Sequence, residues 1–262
     1  MAKYEKIADD LRVRIRAGEW LPGGKLPSET PELTAHYKTS LPTIRQALGV
    51  LAAEGVVDKV HGRGNFVRKP RKRVMRTNQR HQWEKDRARA PEGTRKATGA
   101  TEHDTGLTVS DLVFSADFRK VEAGEVLADI FGVAAGTPLL ERIYRTRYQE
   151  EDAPFNLSHS YLVYDVVKAN PDLLDASTEP WPGGTQNQLF TLGIELDRIE
   201  EHFTARPPTA EEAEELGLRA GVSVLIVRKV SIDTGGRVVE VSDVTLPGDR
   251  TELVYTTPLN RW

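Results

Sequence analysis

The sequence predicts an α+β fold divided into two domains, and three observations carry that reading. Helical periodicity punctuated by short β-prone pieces fills roughly the first seventy residues, whereas from about Thr105 β-rich runs separated by turn residues dominate. Charge divides along the same line: residues 1–96 hold 22 Lys+Arg against 11 Asp+Glu, and the remainder holds 14 against 28. The overall formal charge of −3 therefore conceals a basic front and an acidic rear. Basic surface attracts polyanions and acidic surface repels phosphate, so the two halves have different tasks. The expected boundaries are 1–69 for the first domain, 70–104 for a basic linker and 105–262 for the second domain.

Composition excludes several classes. The chain has no cysteine, which rules out a disulfide scaffold and thiolate metal sites and points to a reducing, cytoplasmic setting. The first residues lead directly into a charged amphipathic pattern without the apolar stretch of a signal peptide. No apolar run approaches the ~18 residues of a membrane span, so no membrane partner is expected.

Within the first domain, Ile7, Leu11 and Ile15 recur every four positions with Ala8 on the same side, and Gly18 stops the pattern. Pro22-Gly23-Gly24 breaks the chain, and Ser28 is the expected N-cap of a short helix carrying Leu33, Ala35 and Tyr37. Ser40 is the expected cap of a third helix. Its apolar residues Ile44, Ala47, Leu48 and Leu51 share one face, Pro42 sits in the first turn, and Gly55 ends it. Two short helices joined at Lys38-Thr39 match helix-turn-helix spacing, in which the second helix enters the DNA major groove. That helix presents Ser40, Thr43, Arg45 and Gln46. Hydroxyls suit phosphate, while Arg and Gln suit bidentate contacts to guanine and adenine edges. Residues 56–60 and 66–68 then form two β-prone pieces joined by His61-Gly62-Arg63-Gly64-Asn65. A glycine-rich basic hairpin beside a recognition helix is a wing, with Gly62 permitting close approach and Arg63 drawn to a narrow minor groove.

These residues resemble the GntR family of bacterial regulators. The resemblance runs through Pro22-Gly23-Gly24-Lys25-Leu26-Pro27-Ser28-Glu29, Thr43-Ile44-Arg45-Gln46-Ala47-Leu48 and His61-Gly62-Arg63-Gly64-Asn65-Phe66-Val67, and covers residues 4–68. It implies DNA contact by Thr43, Arg45 and Gly62. Leu41 stands where the family usually has arginine, which removes one contact to DNA and implies an altered operator.

Residues 68–96 contain 12 Lys+Arg and 3 Asp+Glu. Such density reads as a solvated tether or a second phosphate-tracking element, with Trp83 docking on the second domain.

In the second domain, residues 139–148, 155–163, 199–205, 222–232 and 238–245 read as strands, the last two joined by Gly235-Gly236 as a hairpin. Thr209 with Glu212 forms a capping box that opens a helix ending at Gly217. An antiparallel sheet with helices packed on it is the simplest assembly. This order is similar to the chorismate-lyase-like UTRA domain that defines the HutC subfamily of GntR regulators, over roughly residues 107–256. It rests on residues 142–147, Pro154, residues 160–162, residues 204–209 and residues 239–250.

The resemblance implies a small-molecule effector lying against the sheet, its anionic or polar group held by Arg145 and Arg147, with Glu240 binding hydroxyls or amines. Residues two apart on a strand share a face, so the two arginines can converge on one anion. Surface ion pairing is the competing assignment for all three. Gly183-Gly184-Thr185-Gln186 opens a short helix whose first N–H groups, near Thr185, can take an anion or serve simply as a turn and cap. Ser158 and Leu246 stand where relatives that bind amino-sugar phosphates often have Glu and Tyr, so no named effector carries over.

The expectation is a homodimeric, ligand-responsive DNA-binding repressor that needs no cofactor or metal. Two alternatives remain at this stage. One is a chorismate-lyase-like enzyme, against which stands the lack of a complete nucleophile, metal or phosphate-loop signature. The other is a ligand-independent repressor of plasmid or phage type.

Overall fold

A computed structural model of the chain describes residues 2–219 and 221–260, which divide into two compact units, the first comprising residues up to Arg71 together with Arg219 and Gly221 and the second the remainder from Lys72.

The first unit opens with α1 (Lys3–Arg16), whose buried face is Ile7, Ala8 and Leu11. A helical turn at Glu29–Leu33 runs into α2 (Thr34–His36), and α3 (Leu41–Ala53) follows. The turn between α2 and α3 places Lys38 at φ 46°, a left-handed conformation unfavourable for a residue with a Cβ. Ile44, Ala47, Leu48 and Leu51 of α3 bury against α1, closing a core with Leu26, Leu33, Val57 and Val67. The Arg12 guanidinium holds Glu54 at 2.8 Å, fixing α1 to the end of α3. Strands β1 (Val57–Val60) and β2 (Gly64–Val67) pair antiparallel, with Val60 opposite Gly64, so residues 61–63 form the tip of the hairpin.

The serines expected to cap helices sit at the cap positions but bond differently. The Ser28 N–H and hydroxyl both donate to Glu32 Oε2 at 2.7 Å, while the Ser40 hydroxyl pairs with that of Thr43 at 3.0 Å. Neither side chain bonds a helix N–H.

The second unit begins inside the stretch expected to be a linker. There β3 (Val74–Thr77) is followed by α4 (Arg80–Ala88), α5 (Glu92–Ala97) and α6 (Ala100–Thr105). Part of the basic density that suggested a solvated tether is instead partnered within this unit. Arg76 reaches Glu201 at 3.1 Å, Arg80 pairs with Asp104 and Glu84, and Arg87 donates to the carbonyls of Arg95 and Thr98. Trp83 packs against the Arg87 guanidinium and the His103 ring, both within the stretch expected to be a linker, and neither contact is with the sheet domain it was expected to dock on.

The main sheet follows. Chain order gives β4 (Leu112–Glu122), α7 (Glu125–Phe131), β5 (Pro138–Tyr148), β6 (Leu157–Val163), α8 (Tyr164–Val167), α9 (Gly184–Thr191), β7 (Leu196–Arg206), α10 (Ala210–Glu215), β8 (Val224–Asp233), β9 (Val238–Pro247) and β10 (Thr251–Val254). Six strands form an antiparallel sheet in the order β4-β5-β6-β9-β8-β7, and β10 pairs separately and in parallel with β3. The Thr209–Glu212 capping box opens α10. Residues alternate between the two sheet faces. On one face Phe118, Leu140 and Leu162 pack with α8 and α9; on the other Val121, Leu139, Tyr161 and Val241 pack with α7.

Candidate DNA interface and ligand cavity

The first unit gathers its polar candidates where the turn before α2, the start of α3 and the hairpin meet. A cleft of about 400 Å³ there is lined by Ser28, Glu29, Arg45, Lys59, His61 and Gly62. Ser40, Thr43, Gln46 and Arg63 lie outside that lining, although Ser40, Gln46 and Arg63 are exposed on the same two elements, α3 and the hairpin tip. Gly62 has φ +71° and nothing within 4 Å of where a Cβ would sit, so the tip is both left-handed and bare. Arg45 is 63% exposed in its side chain, and its Nε donates to Glu29 Oε2 at 2.8 Å. That bond holds the Glu29 carboxyl below its ordinary pKa, with Asn65 assisting from the wing.

The second unit holds an open-sided cavity of about 620 Å³ between one face of the sheet and helices α4, α5, α6 and α9. At its floor lies Glu240, 2% exposed. It accepts from Ser160 at 2.7 Å and Ser231 at 3.1 Å, and it pairs with Lys229 at 2.9 Å and Arg142 at 3.3 Å. Burial opposes ionisation of Glu240, but the Lys229 and Arg142 charges prevail and hold its pKa down at about 2. Arg142 also donates to Gln188 at 2.5 Å and to the Thr185 hydroxyl at 3.2 Å. It thereby joins β5 to the first turn of α9, where Gly183 and Gly184 take φ +100° and +60°. Tyr144, Thr146, Ser158 and Ser242 add polar groups to the wall, and Phe114, Phe155 and Trp181 add aromatic surface.

Two of the four expected effector residues are in this cavity and two are not. Thr185 and Glu240 line it; Arg145 and Arg147 do not. The parity of β5 explains the difference. Its even residues Arg142, Tyr144 and Thr146 face the cavity side, whereas Arg145 points to the other face and pairs with Asp117 at 2.8 Å and with Glu215. Arg147 donates to the Glu151 carbonyl at 3.1 Å. The arginines that do line the cavity are Arg76, Arg80, Arg87 and Arg95, while Arg142 is buried beside it and paired with Glu240. A signal was present in the sequence, because Ser158 and Ser160 on β6 and Glu240 and Ser242 on β9 put polar residues at every second position of adjoining strands. Ser158 lines the cavity while His159 bonds Glu141 at 3.0 Å on the opposite face, so these neighbours form no catalytic pair.

Reasoning from sequence missed the contribution of residues 80–104. Arg80, His81, Glu84 and Arg87 line the cavity from α4. Burial opposes ionisation of Glu84, yet the Arg80 charge keeps its pKa well below the usual carboxylate range.

The profile described as UTRA domain matches residues 113–252, more than half of the chain, and that described as bacterial regulatory proteins, gntR family, matches residues 3–67. The chain belongs to the UTRA-bearing GntR regulators. Residues 68–112 lie between the two matches, so the helical cover α4–α6 of this regulator is outside both. The regulator is 26% identical over 256 residues to the HTH-type transcriptional repressor NagR of Bacillus subtilis, covering 96% of this chain and 93% of that protein. It is 26% identical over 250 residues to the histidine utilization repressor of Klebsiella aerogenes, covering 95% and 92%. Among solved structures, a GntR-family transcriptional regulator superimposes with a TM-score of 0.63 at 26% identity, covering 99% of both chains. PhnF of Mycobacterium smegmatis shares the fold, with a TM-score of 0.53 at 21% identity over 97% of this chain and 99% of that one. Among the described residues, no helix is long and apolar enough to cross a membrane.

Proposed function

We propose that this regulator is a homodimeric repressor that binds operator DNA through Thr43, Arg45, Gln46 and the 61–63 wing tip, and that a small molecule in the C-terminal cavity releases it. The cavity lined by Thr185, Lys229 and Glu240, with Arg142 buried beside it and paired with Glu240, carries the ligand part of this reading. An ion-paired Arg–Glu floor buried under hydroxyls suits a compact polar molecule, which exchanges its own oxygens and nitrogens for those of Ser160, Thr185 and Ser242. The aromatic walls supply the apolar contact.

A path from the cavity to the domain junction supports coupling. Phe155 lines the cavity and stacks against the Arg250 guanidinium, 4.5 Å from the ring centroid. Arg250 is buried, and its Nε donates to the Lys72 carbonyl at 2.9 Å, while Glu151 accepts from the Lys72 N–H at 2.7 Å. The peptide at the first residue of the second unit is thus gripped by a side chain that touches the cavity wall. A ligand that moves Phe155 alters the restraint on the chain leading to the DNA reader, and it shifts operator affinity only by its differential affinity for the two poses.

The test is titration of the full chain against its own promoter region and a scrambled duplex across a salt series. A regulator binds the promoter roughly 1,000-fold or more tighter than scrambled DNA, with both affinities falling steeply as salt rises. Equal weak binding to both at every salt concentration contradicts the proposal.

A further inference from the structure

A carboxylate is an unfavourable group to place where DNA phosphates approach, yet Glu29 lines the cleft between α3 and the wing among Lys25, Arg45, Lys59 and His61. Its two oxygens are divided between two elements. Oε2 accepts from Arg45 Nε on α3 at 2.8 Å, and Oε1 accepts from Asn65 Nδ2 on β2 at 3.2 Å. Asn65 is itself fixed, being 6% exposed, and its carbonyl accepts from the Leu26 N–H at 2.8 Å. Glu29 is the more sheltered member of its ion pair, 27% exposed in its side chain against 63% for Arg45.

An exposed arginine left to itself samples many rotamers, and beside DNA its guanidinium turns to the phosphates. Anchoring Nε fixes the guanidinium plane and leaves the two Nη groups directed outward. A planar fork of this kind reads guanine O6 and N7 bidentately. Ordering the side chain before DNA arrives also removes part of the entropic cost of making the contact. Because the same carboxylate holds Asn65, the aim of Arg45 is tied to the position of the wing.

We propose that Glu29 is a positioning residue for sequence readout: its carboxylate aims Arg45 at a base edge and locks that aim to the wing through Asn65. The inference rests on the DNA-reading role proposed above and assigns Glu29 a part in specificity that its charge alone opposes. It predicts a particular signature, because removing the acid frees Arg45 for phosphates and deletes a repulsive charge. Specificity then falls while affinity for arbitrary DNA rises, and general damage to the fold lowers both.

The experiment selects binding sites from a random double-stranded DNA library with the full-length protein. It then measures affinities for the selected site, its single-base variants and scrambled DNA. Arg45→Ala identifies the base that Arg45 reads. Glu29→Ala is expected to lose about tenfold discrimination at that same base, within the range of one bidentate contact. It gains about twofold or more in affinity for scrambled DNA, and Glu29→Ala adds no further loss in the Arg45→Ala background. Glu29→Gln, whose amide oxygen still accepts from Arg45 Nε, keeps more of the discrimination than Glu29→Ala; Asn65→Ala shows a weaker form of the same loss. Thermal unfolding of each variant separates these effects from misfolding.

Unchanged discrimination at the Arg45 base in Glu29→Ala and Glu29→Gln overturns the assignment while leaving DNA reading intact. So does an equal loss of affinity for selected and scrambled DNA. A wild-type protein that enriches no sequence overturns both.

Discussion

Glu240→Gln is the sharpest test of the cavity floor. The carboxylate is 2% exposed and touches Lys229 at 2.9 Å, Arg142 at 3.3 Å and two serine hydroxyls. Its pKa falls from an ordinary value of 4.5 to about 2 on folding. At about 1.4 kcal/mol per unit, ionised Glu240 contributes about 3 kcal/mol to stability. The folded pKa is depressed, so protons bind the unfolded chain more tightly. The contribution is therefore complete above about pH 4.5 and is lost as pH falls toward 2. Glutamine keeps the shape but leaves Arg142 and Lys229 facing a neutral group, and breaking a buried pair in this way costs about 3 kcal/mol or more. For a unit of this size the melting temperature drops by roughly 6–12 °C at pH 7. Differential scanning calorimetry of the full chain measures it. The variant's decline in stability between about pH 4.5 and pH 2 should also be shallower than the wild type's by about 3 kcal/mol, the share of Glu240 alone, since Glu84 and Glu201 still contribute theirs. A drop of less than about 2 °C, or an unchanged acid decline, refutes the reasoning.

Arg142→Met is expected to abolish ligand response, whereas Arg145→Ala, on the opposite sheet face, leaves response intact and costs at most about 1 kcal/mol for its partly exposed ion pairs; DNA release assays and melting curves separate the two. Arg45→Ala should cost about 1–3 kcal/mol of discrimination at one base pair while leaving the melting temperature unchanged. Lys38→Gly relieves a left-handed residue and is expected to stabilise the first unit by about 1 kcal/mol, seen as a raised urea midpoint. Arg250→Lys removes the Nε bond to Lys72, and the 72–77 backbone should exchange its amide hydrogens faster while DNA affinity without ligand is retained.

Much of the fold was legible because its signals are local. The apolar spacing of Ile44, Ala47, Leu48 and Leu51, the Thr209–Glu212 box and the Gly235-Gly236 turn each specify an element from neighbouring residues alone. What was hidden depends on distant partners. Arg76 and Arg80 read as a solvated tether because Glu201 and Asp104, which neutralise them, are remote in sequence from Arg76 or lie on another element. Likewise β10 finds its parallel partner β3 only across the whole domain. The ligand site failed on a single residue of strand parity. Arg145 and Arg147 have the right spacing to converge, but they face away from the cavity. The sheet face that carries the cavity was marked by Arg142 sharing parity with Ser160 and Glu240 across adjoining strands. The residue types of the proposed DNA face stand in the sequence, whereas the division of Glu29 between Arg45 and Asn65 does not.

The central claim is that a ligand in the C-terminal cavity governs DNA affinity. It is tested most directly by fluorescence anisotropy of promoter DNA bound to wild type and to Arg142→Met, each titrated with a defined panel of small polar metabolites. The account predicts a compound that releases the wild type from DNA and leaves Arg142→Met bound, with both proteins equally tight on DNA in its absence. A compound that releases both proteins at the same concentration contradicts it.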